Sequence, residues 1–235
     1  MVAFETGFFS AQVEDKQASG LTEDGATGGP IALSTVAPAT PSANSFTIYD
    51  AWTAITGNSN KQRQMESIAR GQVLFNTRTF SINNVGGFND FPGIANPAPG
   101  STCGTCHNQH NAGSDFLPMS QRGIGTSGDS VASNGPAPDP KLPIFKLACQ
   151  NGATNPFTGN VVMTTDLDAA LITGKCADIG MFTVPPLRSL ASHAPYFHDG
   201  SAATLPDVVN FYDKRFSIGL SPTEKADIAN FLSAL

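Results

Sequence analysis

Charge is scarce in this 235-residue chain: only 14 % of residues are Asp, Glu, Lys or Arg, and the balance is acidic, at −6. The 13 Lys and Arg are scattered singly, and without a basic stripe a phosphate-tracking nucleic-acid binder is excluded. No run of 18 apolar residues occurs, which excludes a membrane-spanning helix. The first residues, Met1-Val2-Ala3-Phe4-Glu5, have no basic n-region and no clean apolar h-region. The reading is a chain without an export signal, either because the signal was removed or because this is the C-terminal part of a longer protein. Gly and Pro, by contrast, are abundant at 23 and 17, and with 40 % apolar residues they point to a soluble, loop-rich globular protein.

Residues 13 to 47 are mostly Gly, Ser, Thr, Ala, Pro and acids, and cannot supply a helix-period apolar face. They read as an extended arm, pinned through Phe4, Phe8 and Phe9. Ser59 or Asn60 can cap a helix from about Lys61 to Asn76, with Met65, Ile68, Ala69 and Leu74 on one side. Gly71 interrupts it at a cost of roughly 1 kcal/mol, for which the usual compensation is close approach of another backbone. Residues 82 to 148 read as loops, and Asn160 to Thr164 as the one candidate strand. Thr204-Leu205-Pro206-Asp207 starts a helix, and Leu205, Val208, Val209, Tyr212 and Phe216 then mark its buried face. Ser221-Pro222-Thr223-Glu224 is a capping box that opens a last helix.

Cys103-Gly104-Thr105-Cys106-His107 has the Cys-x-x-Cys-His form that attaches a c-type haem. Two thiols at this spacing reach the two vinyl groups on one porphyrin edge, and the adjacent His turns under the ring to bind iron. Given four Cys and four His, chance would produce this pattern in roughly one such sequence in a thousand. A Cys₄ zinc site with Cys149 and Cys176 is the weaker reading because zinc ribbons bring two close Cys pairs. A thioredoxin-like redox pair lacks its βαβ context. Covalent haem implies a periplasmic or otherwise exported protein, in which Cys149 and Cys176 would pair as a disulfide worth roughly 3 to 4 kcal/mol. The second axial ligand is open among Met119, Met163, Met181, His110, His193, His198 and Tyr212. His110, three residues after His107, falls on the proximal side and is disfavoured.

The C-terminal third carries a resemblance. Phe182 to Leu190 (FTVPPLRSL) and Ala194 to Leu205 (APYFHDGSAATL) resemble the C-terminal haem domain of the bacterial dihaem cytochrome c peroxidase and MauG family. Arg70 to Phe75 (RGQVLF) is similar to the helix that opens the same domain. The resemblance implies an all-α cytochrome c-like haem domain over residues 61 to 235 behind an extended N-terminal arm, residues 1 to 60. It implies Arg188 beside the haem propionates, with His198 and Asp199 around the pocket. It also implies a second iron ligand fourteen residues after His198, which is Tyr212. Only one Cys-x-x-Cys-His motif is present, and residues 1 to 60 contain no Cys. The family's two-haem mechanism therefore does not carry over whole. The function expected is one-electron transfer through a single covalent haem c, serving a redox partner protein or a second haem domain in a peroxidase-like system. The alternative is a haem peroxidase or protein-oxidising enzyme in its own right.

Overall fold

A computed structural model describes residues 11–34, 44–115, 121–127 and 140–235. Phe4, Phe8, Phe9 and Met119 lie outside the described residues. Five α-helices occur among the described residues: α1 (Pro30–Ser34), α2 (Asn60–Thr77), α3 (Ala169–Thr173), α4 (Leu205–Phe216) and α5 (Pro222–Ser233). No helix among them is long and apolar enough to cross a membrane.

The three long helices start where the sequence places their caps. Ser59 and Gln62 form a reciprocal capping box at α2, Thr204 and Asp207 at α4, and Ser221 and Glu224 at α5. Each box satisfies backbone N–H groups that have no partner inside the helix. Pro206 and Pro222 stand in the first turns of α4 and α5, where a missing N–H costs nothing.

The all-α expectation is wrong. Eight short strands form four two-stranded antiparallel sheets among the described residues: β1 (Glu14–Asp15) with β2 (Ser19–Gly20), β3 (Phe80–Ile82) with β4 (Ala98–Ser101), β5 (Gln121–Arg122) with β8 (Phe182–Thr183), and β6 (Phe145–Ala148) with β7 (Val161–Thr164). The fold is mixed α and β. Ladders of two to four residues are too short to leave a period-2 pattern, so composition reads them as loop. Only β7 was visible beforehand, at 160 to 164.

The main core is built by α2 crossing α5. Met65, Ile68 and Phe75 meet Ile228, Phe231 and Leu232, and Phe46, Tyr49 and Trp52 complete the layer. At the crossing, a Cβ on Gly71 would lie 2.0 Å from the Asp227 carbonyl oxygen and 2.6 Å from the Phe231 Cβ. The glycine that weakens α2 is therefore what lets the two backbones touch. Within the stretch read as extended, β1 and β2 form a small hairpin and α1 a single turn, and Ala18, Leu21, Ala26 and Leu33 are buried in this same core. The Trp52 indole N–H donates to the Glu23 carbonyl at 2.9 Å and ties that stretch down. A second, smaller cluster gathers Ile82, Val85 and Phe216, with Phe88, Ile124 and Tyr212 packed against it.

Candidate haem site

Cys103, Gly104 and Thr105 form a 3-10 turn closed by the reciprocal Thr102 and Thr105 cap. The Cys103 carbonyl accepts from the N–H groups of Cys106 at 3.3 Å and His107 at 3.1 Å, so one turn sets the spacing of both thiols and the imidazole. Gly104 is close-packed: a Cβ there would sit 2.3 Å from the Ser45 hydroxyl, which would have to turn aside. Cys103 packs against the main core and Cys106 against the smaller cluster. The motif thus occupies the seam between them.

His107 is oriented through its ring nitrogen. Nδ1–H donates to the Gly113 carbonyl at 2.5 Å, which assigns the proton to Nδ1 and leaves the Nε2 lone pair available to a metal. Burial holds the imidazole below its usual pKa, in the neutral form that ligation needs, while the Gly113 bond pulls the other way. The Phe75 ring of α2 lies 6.0 Å from the His107 ring. Gly113 has a φ of +67°, and a Cβ there would strike Phe46 at 2.7 Å and Leu187 at 2.9 Å. The Leu187 N–H donates to the Ala112 carbonyl at 2.7 Å. The Pro-Pro-Leu-Arg stretch therefore braces the loop that holds the proximal imidazole.

Two thiols and one imidazole nitrogen presented by a single turn are the side chains that would attach a haem c and bind its iron, and they fit that group. Burial pushes the Cys103 thiol up to about 12 and raises Cys106 as well, with Arg122 opposing the rise at Cys106. Neither is a standing thiolate suited to redox exchange. Arg122 pairs with Asp115 at 2.5 Å, side chains 11 % and 3 % exposed, and Asn108 donates to the same carboxylate at 3.3 Å. Sequence reasoning missed this ion pair, and isolated Asp and Arg residues in a loop give no signal that could have found it.

The other predicted residues are dispersed. Tyr212 of α4 joins Cys106 against the smaller cluster. Burial first, and then the Cys106 and Cys103 sulphurs, hold its phenol well above the ordinary tyrosine pKa. Met181 is 7 % exposed, with its sulphur packed on the Gly86 and Gly123 backbones. Met163 is exposed on β7, and His193 is exposed. His110 approaches the Thr47 hydroxyl at 3.5 Å and the Asn44 carbonyl at 3.4 Å. His198 stacks on Phe182 at 4.4 Å, and its Nε2 lies 4.0 Å from an Asp166 carboxylate oxygen. Arg188 is half-buried next to Leu187, and burial lowers its pKa. Cys149 and Cys176 are brought together, Cα atoms 5.8 Å apart.

Comparison with known proteins adds an independent line. A cytochrome-c peroxidase of Denitromonas iodatirespirans is 37 % identical over 90 residues, covering 35 % of this chain and 24 % of the relative. A second one from the same organism is 39 % identical over 69 residues, covering 25 % and 18 %. Cytochrome c551 peroxidase of Nitrosomonas europaea is 38 % identical over 65 residues, covering 27 % and 20 %. Part of this chain is similar to bacterial cytochrome c peroxidases. The matched stretches span less than a quarter of those relatives' length. No family model and no solved structure matches the chain.

Proposed function

We propose that this chain is an exported c-type cytochrome unit related to the bacterial cytochrome c peroxidases. Cys103 and Cys106 would hold one haem c covalently, His107 and Tyr212 would bind its iron, and the bound haem would supply one-electron transfer to a redox partner protein or a second haem domain. In this reading residues 61 to 235 carry the haem-binding groups, the described part of residues 1 to 60 packs into the same core, and Arg188 and His198 flank the porphyrin. Cys149 and Cys176 are disulfide-bonded, as the exported compartment allows. The haem supplies a one-electron couple; the chain supplies position, dielectric and ligands. Thr102, Thr105 and Gly104 shape the attachment turn, and Gly113 aims Nε2.

The observation that carries the reading is the His107 to Gly113 bond at 2.5 Å. A neutral carbonyl makes the imidazole less basic than an anionic carboxylate would, and that weaker push suits electron transfer better than oxygen-bond cleavage. Extraction of the holoprotein with acidified acetone is expected to leave all haem on the polypeptide, one per chain by its pyridine haemochrome spectrum. Haem in the solvent phase refutes covalent attachment.

The similarity to cytochrome c peroxidases favours a second reading, a peroxidase in its own right. It requires an iron position open to peroxide. With Tyr212 bound, the chain alone is expected to consume peroxide with a reduced donor far more slowly than ~10 per second, a typical enzyme turnover. A rate at or above that value decides for the enzyme.

A further inference from the structure

Arg215 is 1 % exposed, on the same helix as Tyr212 and one turn beyond it. Its guanidinium is spread over two loops. Nε donates to the Ile124 carbonyl at 3.0 Å, Nη1 to the Asn83 side-chain oxygen at 2.9 Å, and Nη2 to the carbonyls of Asn83 at 2.8 Å and Asn84 at 3.1 Å. Val85, next to the 83–84 loop, and Phe216 belong to the buried cluster against which Ile124, Tyr212 and Cys106 all pack. The guanidinium carbon also stands 4.6 Å over the Phe216 ring. Phe216 in turn stacks on Tyr212, centroids 6.2 Å apart and planes 26° from parallel, with Phe80 on it at 5.5 Å and 29°.

Burying a guanidinium is expensive, and an apolar side chain could fill the same volume without that cost. What an apolar residue cannot do is fix three backbone carbonyls and one amide oxygen at once. The planar five-donor fork can. We propose that Arg215 is the positioning residue for Tyr212: it locks α4 to the 83–84 loop and to Ile124, and through the Phe216 ring it holds the phenol in one place beside the haem-attachment turn. The inference rests on the reading of Tyr212 as the second iron ligand. A phenol free to swing would exchange between bound and unbound forms, and the clamp restricts it to one.

The test uses ferric holoprotein in four forms: native, Tyr212→Phe, Arg215→Lys and Asn83→Ala. Electron paramagnetic resonance and optical spectra give the ligand state directly. Tyr212→Phe supplies the reference signal of haem without the phenol. Lysine keeps the charge but, as a compact three-donor group, cannot span the four acceptors. Arg215→Lys is expected to lower the ratio of Tyr212-bound to unbound protein about tenfold or more, so that the Tyr212→Phe signal grows in beside the native one. Asn83→Ala removes one acceptor, leaves the carbonyls, and should shift the ratio the same way by less. It decides alone if Arg215→Lys does not fold. A single native signal in the folded clamp variants, with Tyr212→Phe altered, makes Arg215 a structural clamp only and overturns the proposal. A native signal in Tyr212→Phe itself overturns the ligand reading on which it stands.

Discussion

Replacing Tyr212 with Phe is expected to change the ferric spectrum and spin state of the holoprotein and to raise its reduction potential. A phenolate oxygen is anionic and stabilises ferric over ferrous iron, so its loss shifts the couple upward. The competing effect is that burial disfavours the phenolate, as the raised Tyr212 pKa records. Which wins depends on the charge of the metal, and a bound cation routinely deprotonates ligands whose free pKa is several units higher. Phe keeps the ring and its packing on Phe216 and the smaller cluster, so the substitution removes the oxygen with little change in volume. Potentiometric titration with optical detection checks the sign. An unchanged spectrum and potential reject Tyr212 as ligand, and Met181 then becomes the first alternative, although drawing its sulphur off the Gly86 and Gly123 backbones requires a loop to move.

The parts of this site visible in the sequence are those encoded locally. Cys103, Cys106 and His107 lie in one turn, and the caps at Ser59, Thr204 and Ser221 each fall within four residues of the groups they satisfy. Periodicity from Leu205 placed Tyr212 on the inner side of α4, where it is partly buried against the smaller cluster. The same pattern could not find Arg215, because a charged residue counts as solvent-facing until its acceptors are known, and those are supplied by residues 83, 84 and 124. Gly113 was invisible for a similar reason. Its role depends on Phe46 and Leu187 converging from distant parts of the chain. β1, β2, β5 and β8 were lost through length, with two residues each, whereas β4 and β6 are as long as β7 and lie in the Gly- and Pro-rich stretch that reads as loop.

Gly71→Ala is expected to destabilise the fold by about 2 to 3 kcal/mol, against the helix propensity that argues for the substitution. In an isolated helix, Ala in place of a central Gly gains about 1 kcal/mol. Here the new methyl would stand 2.0 Å from the Asp227 carbonyl oxygen and 2.6 Å from the Phe231 Cβ, both on α5 and neither able to rotate aside. The helices must part by roughly 1 Å, and close-packed interiors do not absorb such a shift without losing contacts along the whole crossing. Those contacts include Phe231, which is fully buried, and the bonds from Ser67 at 2.6 Å and Arg70 at 2.8 Å to the Asp227 carboxylate. Gly57 provides the control. A methyl there would also overlap a neighbour, the Gln62 amide oxygen at 2.1 Å, but that atom ends a flexible side chain and can move at the cost of its capping bond to Ser59. Gly57→Ala should therefore cost about 1 kcal/mol or less. Urea unfolding of both variants as holoprotein separates the cases. A Gly71→Ala midpoint equal to or above that of Gly57→Ala would show that α2 and α5 do not meet through this glycine.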